Sequence, residues 1–444
     1  EAICVGTSKS KDSYLNESNI LSAAVITGCN AIHPGFGFLS ENASFAGMCE
    51  ECNIKFIGPS KEIINIMGNK SMAREIMKNA NIPIIPGSEG LIRNLEEAKS
   101  EAKKIGYPVM IKASLGGGGK GIRVVLNENE LENSYFTAKA EAKNNFNDDS
   151  VYMEKFIENP RHIEVQILGD AFGNVIHLYE RDCSVQRRHQ KIIEYAPAFS
   201  LPKEVRENIC NDAVKIAKSV GYVNAGTLEF LVDAEGNHYF IEMNPRVQVE
   251  HTVTEEVTGI DIVQSQILIA EGYTLDSEEI DIKSQDDIKV SGYSIQCRIT
   301  TEDPKNSFMP DTGKIQVYRT GSGAGIRLDG GNGCAGFDIS PYYDSLLVKT
   351  VSWDRTFKKA INKMLRSIRE FRIRGVKTNV GFLINVLENP LFQEGKCSTK
   401  FIDEHPELFN IKESKNRATK LLQFIGTQFM RNAAPVENQV EYSF

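Results

Sequence analysis

The first third of the chain alternates short apolar segments with longer amphipathic ones. Residues 2–5, 31–33 and 55–58 are short apolar runs that predict strands, while residues 19–27 and 61–79 repeat apolar positions at helical spacing. Strands that alternate with helices in this way are typical of a parallel sheet. The start of the chain is therefore predicted to form part of an α/β domain.

The rest of the chain is predicted to contain more strands than helices. Strand-like pairs between residues 151 and 240 surround a helical segment at 203–220, and helical spacing returns at 357–371 and 379–387. Five further segments are predicted strands: 108–112, 122–126, 293–299, 314–318 and 345–351. The polar stretch from residue 411 onward resembles an interdomain linker.

Composition excludes several classes of protein. Lysine and arginine total 51 against 59 aspartates and glutamates, a net charge of −8 that disfavours a nucleic-acid binder. Hydrophobic residues make up 41% and charged residues 25% of the 444, as in globular rather than disordered chains. No apolar run approaches the roughly 18 residues of a membrane helix. We therefore expect neither a nucleic acid nor a membrane as a partner.

The cysteines indicate a reducing compartment. Nine of them are scattered through the chain, and Cys49 and Cys52 have metal-site spacing without a second pair to complete a zinc site. This favours free thiols and a cytoplasmic location. Because Glu1 leads directly into an apolar run, we expect the sequence to begin inside a domain, which leaves a mitochondrial location open.

A glycine-rich loop at residues 114–121 indicates phosphate binding. Dinucleotide-binding glycines must open a helix, but residues 122–126 are β-branched and strand-like, and Gly121 stands where a P-loop needs Ser or Thr. A flexible hairpin loop remains, whose backbone N–H groups can close over phosphates beside Lys112 and Lys120. The alternative is a mobile hairpin without a ligand.

A pair of carboxylates indicates a metal site. If Glu235 and Gly236 form a two-residue turn, Glu229 lies directly opposite Glu242 on the paired strand, and Asn244 lies two residues further on the same face. Facing carboxylates repel each other, and a divalent cation such as magnesium relieves that repulsion. The alternative is an exposed acidic strand edge.

Longer stretches of the sequence resemble the biotin carboxylase family, which has the ATP-grasp fold. The similarity keeps one register over nearly the whole chain and is carried by residues 33–42, 153–155, 160–164, 180–191 and 240–255. Four later stretches are more similar to the biotin carboxylase part of pyruvate carboxylases than to the free-standing subunit of acetyl-CoA carboxylases: 371–379, 399–403, 406–409 and 416–420.

Two features depart from this family, and both concern its domains. The opening βαβ segment is absent before Glu1, and neither a carboxyltransferase region nor a biotin-bearing Met-Lys-Met motif is present. The resemblance implies an α/β and α+β fold with an ATP-grasp core, an incomplete N-terminal βαβ domain and a β-rich C-terminal domain. The expected units are an N-terminal remnant (1–60), a connecting helix (61–84), a lid subdomain (85–157), the core with the C-terminal domain (158–410) and a C-terminal element (411–444).

The resemblance also implies which residues bind ATP and its metal ion, Mg²⁺ or Mn²⁺. The residues expected on the phosphates are Lys70, Lys112, Gly117, Gly118 and Gly119. The other expected nucleotide contacts are Glu154, Lys155, Ile157, His162, Gln186, His189 and Leu231. Glu229, Glu242 and Asn244 would hold the metal.

Residues 244–251 are expected to form a bicarbonate pocket. The guanidinium of Arg246 and the ammonium of Lys191 suit a small planar anion, and Gln248 and the Val249 N–H can add donors. Glu250 is the one carboxylate near this anion and is the natural general base. Arg327 resembles the arginine that stabilises the biotin enolate. The alternatives are ordinary salt bridges for the arginines and a solvated charged stretch at 186–191.

The leading hypothesis is an ATP-dependent ligase. ATP would convert bicarbonate to carboxyphosphate, which carboxylates biotin on a carrier domain outside this chain, as the first half-reaction of a pyruvate carboxylase. One alternative is the biotin carboxylase component of an acyl-CoA carboxylase; others are carbamoyl-phosphate or glycinamide ribonucleotide synthesis, or a nucleotide-binding regulatory domain.

The same resemblance implies partners. We expect the biotin carrier domain, a carboxyltransferase domain, bicarbonate and a homo-oligomer. Arg372, Arg374 and Arg417 resemble positions at which pyruvate carboxylases contact acetyl-CoA as an activator, although exposed arginines on an interdomain surface would have the same pattern.

Overall fold

The computed structural model describes residues 1–114, 122–146, 148–331, 333–412 and 417–432, without the side chains of Lys70, Ser71, Asn145, Phe146, Arg417, Thr419 and Asn432. The predicted phosphate loop with Gly117, Gly118, Gly119 and Lys120 lies outside these residues, as does the side chain of Lys70. The helices are α1 (Glu17–Ile26), α2 (Ala43–Glu51), α3 (Lys61–Gly68), α4 (Lys70–Asn79), α5 (Leu95–Ile105), α6 (Glu128–Phe146), α7 (Lys203–Ser219), α8 (His251–Thr258), α9 (Ile262–Glu271), α10 (Phe357–Glu370), α11 (Val380–Glu388), α12 (Pro390–Gln393), α13 (Phe401–Glu404) and α14 (Arg417–Asn432).

The strands are β1 (Ala31–Ile32), β2 (Lys55–Phe56), β3 (Val109–Ala113), β4 (Ile122–Val125), β5 (Val151–Lys155), β6 (Arg161–Gly169), β7 (Val175–Arg187), β8 (Gln190–Ala196), β9 (Asn224–Val232), β10 (His238–Asn244), β11 (Tyr293–Thr300), β12 (Glu302–Asp303), β13 (Met309–Pro310), β14 (Gly313–Lys314), β15 (Val317–Arg319), β16 (Ile326–Gly330), β17 (Asp338–Ile339), β18 (Leu346–Asp354) and β19 (Arg372–Arg374). Short 3₁₀ turns lie at Ser10–Asp12, Gln285–Asp287, Pro304–Asn306 and Pro406–Phe409.

The N-terminal region confirms the predicted parallel pairing, because β1 and β2 form a two-stranded parallel sheet. The strand predicted at residues 2–5 is wrong: neither strand of that sheet pairs with this segment, and an apolar run without ladder hydrogen bonds is not a strand.

The single helix predicted over 61–79 is divided in two at Asn69. The backbone of Asn69 is extended, and its side chain accepts the N–H of Met72, which starts a new helix.

A small antiparallel sheet carries the first candidate phosphate ligand. Its strand order is β4-β3-β5, and helices α5 and α6 cover one face with an apolar cluster that includes Val109, Leu131 and Met153. Met110 pairs with Glu154, so Lys112, two residues along the same face of β3, can reach the Glu154 carboxylate.

One antiparallel sheet of eight strands runs through the rest of the molecule in the order β10-β9-β6-β7-β8-β11-β18-β16. Helix α7 packs on β6 and β7, and α10 packs on β18 and β11. Helix α10 begins after Thr356, whose side chain accepts the Lys359 N–H, and it buries Phe357, Ile361 and Met364 against the sheet. The predicted ATP-grasp segment and the predicted β-rich C-terminal segment therefore share one continuous sheet.

The β9–β10 hairpin pairs Glu229 with Glu242 as predicted, but its loop length and its strand register differ from the prediction. The predicted two-residue turn is wrong, because Asp233 accepts the N–H of Asn237 through its side chain and closes a five-residue loop. The pairing then shifts by one residue between Phe240 and Glu242, which is a β-bulge at Ile241. The longer loop shifts the strand register by one residue, and the bulge shifts it back, so that Glu229 and Glu242 are directly paired.

The C-terminal segment differs from the predicted linker, since α14 occupies most of its described part. Several of its apolar side chains are exposed, among them Leu422, Phe429 and Met430. Among the described residues, no helix combines the length and the apolar character that crossing a membrane requires.

Candidate active site

A buried ammonium group lies at the centre of the site. Lys191 is the second residue of β8, which follows an exposed turn in which Arg188 and His189 have positive φ angles of 49° and 65°. Its Nζ atom lies 2.9 Å from Oε1 of Glu229 and 2.8 Å from Oε1 of Glu250. It also bonds Glu164. One lysine therefore joins a candidate metal ligand, the candidate general base and a third carboxylate.

Strand register brings these carboxylates together. Glu164 of β6 pairs directly with Glu229 of β9, and Gln186 of β7 pairs with Lys191 of β8. His162 lies two residues before Glu164 on the same face of β6, and its Nε2 atom lies 2.8 Å from Oε2 of Glu229. The polar cluster is thus built from side chains on one face of neighbouring strands.

Attraction between opposite charges keeps Lys191 and Glu250 ionised although both are buried. Burial alone lowers the pKa of Lys191, but the carboxylates of Glu164, Glu250 and Glu229 outweigh burial and hold that pKa well above its usual range. Burial alone raises the pKa of Glu250, but Lys191 and Arg298 outweigh it and keep the carboxylate ionised at a pKa well below normal. The pKa of Glu164 shifts in the other direction from that of Glu250: burial raises it to about 7 despite the nearby Lys191.

Two arginines complete the cluster, and the sequence motifs assigned a role to neither. Arg298 of β11 donates to Oε2 of Glu250 at 2.9 Å and to Oε1 of Glu194 at 2.6 Å. Arg181 of β7 is fully buried. Its guanidinium donates to five side chains: Gln166 at 2.9 Å, Thr254 and Thr227 at 3.1 Å, Gln248 at 3.2 Å and Glu164 at 3.3 Å. It therefore fixes the side chains beneath the site.

The segment between β10 and α8, residues 245–250, is called the anion loop below. Gln248 is buried in it, donating to Oε1 of Glu229 at 2.9 Å and accepting from Arg181. Arg246 donates to Oδ1 of Asn244 at 3.1 Å, and its Nε atom lies 3.1 Å from Oε2 of Glu41 in the N-terminal region. Gln248 thus shares Glu229 with Lys191, and Arg246 is linked to the same carboxylate through Asn244.

Arg327 reaches the same region from β16. Its guanidinium donates to both oxygens of Asp329, at 2.8 and 3.1 Å, and to Oε2 of Glu255 at 2.7 Å. Lys349 connects this group to the anion loop, because its Nζ atom lies 3.2 Å from Asp329 and donates to the Val249 carbonyl at 3.1 Å.

The three predicted metal ligands lie together at the end of the β9–β10 hairpin. Asn244 is buried and donates to Oε1 of Glu229 at 2.8 Å, while Glu242, directly opposite Glu229, is exposed on the cavity side. Carboxylate and amide oxygens are the hard donors that magnesium prefers, so this set fits the expected ion. His162 and Glu164 also lie beside Glu229, with ligand atoms within 4.8 Å of one another.

A cavity of about 680 Å³ opens between the small sheet and this hairpin. Lys112, Glu154, Glu242 and Asn244 are on its wall, as is Arg74, which the sequence reasoning missed. Lys112 donates to Oε2 of Glu154 at 2.6 Å, and Arg74 bonds the other oxygen. A site of this size with two cations beside it can take a nucleotide.

The remaining predicted nucleotide contacts lie apart from the wall of this cavity. Lys155 donates to the carbonyls of Gly106 and Tyr107, at 2.9 and 2.8 Å. Gln186, His162 and Leu231 lie in the large sheet, Ile157 follows β5, and His189 is exposed at the β7–β8 turn. Their roles stay predictions.

A second cavity, of about 280 Å³, borders the polar cluster. Its wall includes Lys191, Arg298 and Val249 together with Phe36 and Phe38 of the N-terminal region. The polar cluster thus borders both cavities, with Asn244 on the wall of the larger one and Lys191 on the wall of the smaller, partly apolar one.

Comparisons with known proteins cover almost the whole chain. Residues 1–64 match the family described as "Biotin carboxylase, N-terminal domain", residues 69–278 match "Carbamoyl-phosphate synthase L chain, ATP binding domain", and residues 296–404 match "Biotin carboxylase C-terminal domain". Pyruvate carboxylase of Bacillus subtilis is 56% identical over 427 residues, which are 96% of this chain and 37% of that protein. The chain therefore spans little more than a third of this relative.

Two solved structures are similar in fold and sequence. The biotin carboxylase domain of Hydrogenobacter thermophilus 2-oxoglutarate carboxylase, in complex with MgADP, ADP and bicarbonate, is 49% identical, with a TM-score of 0.82 over 90% of this chain and 87% of that one. Rhizobium etli pyruvate carboxylase with the allosteric activator acetyl coenzyme-A is 46% identical, with a TM-score of 0.84 over 94% of this chain and 38% of that one.

Replacing Arg181 by leucine should destabilise the chain by about 3–5 kcal/mol, because Glu164 loses a buried cationic partner. The exposed Arg93→Leu variant is the control and should stay within about 0.5 kcal/mol of wild type. Urea unfolding followed by circular dichroism measures both. Equal free energies of unfolding for the two variants would contradict the role of Arg181 in holding the cluster.

Proposed function

The chain belongs to the biotin carboxylase family, and on that basis we propose that it uses ATP, a divalent cation and bicarbonate to carboxylate biotin. The observation that carries this proposal is the position of Lys191, whose ammonium contacts both Glu229, a metal ligand in the proposal, and Glu250, the proposed base. The phosphate end of the nucleotide and the bicarbonate would therefore meet at one buried cation.

Bicarbonate would bind between the anion loop and Lys191. Arg246 and Lys191 supply positive charge, the Gln248 side chain and the Val249 N–H supply directed donors, and the loop leads into the positive end of α8. Because each donor is held by a second contact, the pocket needs little reorganisation when the anion arrives.

A bicarbonate oxygen would then attack the γ-phosphorus of ATP, forming carboxyphosphate and releasing ADP. Glu250 would take the bicarbonate proton as the new P–O bond forms, because the phosphoryl group withdraws electrons and makes the remaining hydroxyl more acidic. The low pKa of Glu250, set by Lys191 and Arg298 against the effect of burial, keeps this carboxylate ionised for the step. A bound metal ion would neutralise phosphate charge beside Glu229, Glu242 and Asn244.

Carboxyphosphate would finally carboxylate N1 of biotin in the smaller cavity: the bond between its carboxyl carbon and the phosphate oxygen breaks, the carbon bonds to N1, and the departing inorganic phosphate takes the N1 proton. Phe36 and Phe38 offer an apolar wall there, and Lys191 and Arg298 offer charge. Arg327, which Asp329 and Lys349 link to the anion loop, is proposed to stabilise the biotin enolate. Carbamoyl-phosphate or glycinamide ribonucleotide synthesis would need another acceptor. Bicarbonate-dependent ATP cleavage that free biotin stimulates, and ammonia does not, distinguishes these reactions.

The whole protein is proposed to be a pyruvate carboxylase, with the biotin carrier and carboxyltransferase domains as partners. The 56% identity to the Bacillus subtilis enzyme supports this over an acyl-CoA carboxylase. The described cysteines are free thiols, which supports the predicted cytoplasmic location. Assembly into a homo-oligomer stays a prediction.

Acetyl-CoA is proposed as an activator of the whole protein. Arg372 and Arg374 are both exposed on β19, and Arg319 of β15 pairs directly with Arg372, so three arginines share one small sheet. Such a group suits a ligand with several phosphates. The predicted contribution of Arg417 falls on a side chain outside the described residues.

Glu242→Gln should lower magnesium-dependent ATP cleavage by at least about tenfold, because it removes one anionic metal ligand and keeps the hairpin. Turnover is measured over a magnesium titration, with Glu235→Gln at the exposed loop of the same hairpin as the control. Near-normal turnover in Glu242→Gln would make the carboxylate pair structural.

Glu250→Gln should lower bicarbonate-dependent turnover by roughly 10²–10⁴, the usual contribution of a positioned base, while ATP affinity is retained. Steady-state kinetics with ATP and bicarbonate varied separately test this, and exposed Glu271→Gln is the control. Equal losses of ATP affinity and turnover would remove Glu250 from the role of base.

Acetyl-CoA titrated into the wild type by calorimetry should give heats that the Arg372→Ala/Arg374→Ala variant loses. The expected affinity lies in the micromolar to millimolar range, and exposed Arg355→Ala should bind as the wild type does. If the double variant and the wild type release the same heat, these arginines are surface charge.

A further inference from the structure

We propose that Lys349 is a positioning residue that holds the anion loop in the geometry needed for bicarbonate, a role that rests on the function proposed above. Lys349 lies on β18, about one hundred residues after the loop in the chain, and belongs to no motif that carries the family resemblance. It would act through Val249 and Asp329 rather than by touching the substrate.

The first argument is the pair of contacts that Lys349 makes. Its Nζ atom donates to the Val249 carbonyl at 3.1 Å and lies 3.2 Å from Oδ2 of Asp329, whose two oxygens also bind Arg327. One ammonium therefore connects the peptide that precedes Glu250 to the carboxylate that orients Arg327.

The second argument is strand register. Arg298 of β11 and Lys349 of β18 are directly paired, so their side chains leave the sheet on the same face. Arg298 donates to Oε2 of Glu250, and Lys349 donates to the carbonyl of Val249. Two adjacent residues of the anion loop are thus held by two adjacent cations of the sheet, one through its side chain and the other through its backbone.

The third argument is the cost of burying this lysine. Only 8% of its side chain is exposed, and burial lowers the pKa of Lys349 although Asp329 opposes that shift. Buried ions seldom add stability compared with an apolar residue of the same size, so stability by itself does not call for a lysine here. An apolar residue would leave the Val249 carbonyl without this donor and would free the loop to rotate.

Lys349→Met keeps the length of the side chain and removes the ammonium. Because small displacements of a reacting group cost up to about 10²-fold, we expect kcat/KM for bicarbonate to fall by about 10- to 100-fold. The KM for ATP should stay within about twofold, since the cavity proposed for the nucleotide is lined by other residues. Lys349→Arg keeps the charge and should recover part of the loss.

Lys363→Met is the matched control. Lys363 also bonds a β18 carbonyl, that of Trp353 at 3.1 Å, and a carboxylate, that of Asp354 at 3.0 Å, but at the other end of the strand. It should leave kcat/KM for bicarbonate within about twofold of wild type, because both of these partners lie at the end of β18 away from Lys349.

The experiment measures ATP cleavage with free biotin, varying bicarbonate and ATP separately, together with the thermal midpoint of each variant. The wild type is assayed first, so a failure of the proposed function would be seen there as ATP cleavage that ignores bicarbonate. With an active wild type, an unchanged kcat/KM for bicarbonate in Lys349→Met would overturn the positioning role. Two further results would also overturn it: a KM for ATP that worsens by the same factor as kcat/KM for bicarbonate falls, or a fall in kcat/KM for bicarbonate of the same size in Lys363→Met.

Discussion

The site depends on one buried ammonium group that three carboxylates share. Lys191 contacts Glu164, Glu229 and Glu250 near the middle of an eight-stranded sheet, where only 13% of its side chain is exposed. Carboxylates this close cannot all remain ionised without a cation between them, and an ammonium this deeply buried cannot remain charged without carboxylates. The ammonium and the carboxylates therefore each need the other to stay charged.

The charges around Lys191 come close to balance. Four carboxylates, those of Glu164, Glu194, Glu229 and Glu250, face the three permanent cations Lys191, Arg181 and Arg298. Neutrality then needs one more proton, and two neighbouring groups are suited to carry it. Burial raises the pKa of Glu164 to about 7, while the pKa of His162 is raised because Glu229 outweighs the opposing effect of burial. Both groups lie beside Glu229, close to the place where bicarbonate would lose its proton.

The continuous antiparallel sheet gives this cluster its second function, which is to connect distant parts of the chain. Strands β6 to β10 bring the carboxylates, while β11 and β18 bring Arg298 and Lys349 from the C-terminal part of the chain to the same anion loop. A rigid sheet transmits position better than loops would, so groups more than one hundred residues apart can be held within hydrogen-bond distance. Glu41, which pairs with Arg246, adds a contact from the N-terminal region.

The sequence by itself determined the family, the facing carboxylates Glu229 and Glu242, and the composition of the anion loop, because each of these lies within one short segment whose pattern is local. The alternation of His162 and Glu164 could also have indicated that these two side chains share one face of their strand, since side chains two residues apart in a strand point the same way. That Glu164 faces Glu229 depends on β6 lying beside β9. Only the tertiary structure decided the roles of Arg181, Arg298 and Lys349. Their partners are set by which strands lie side by side, here β8 beside β11 and β11 beside β18, and no periodicity in the chain encodes the order of strands that are far apart in sequence.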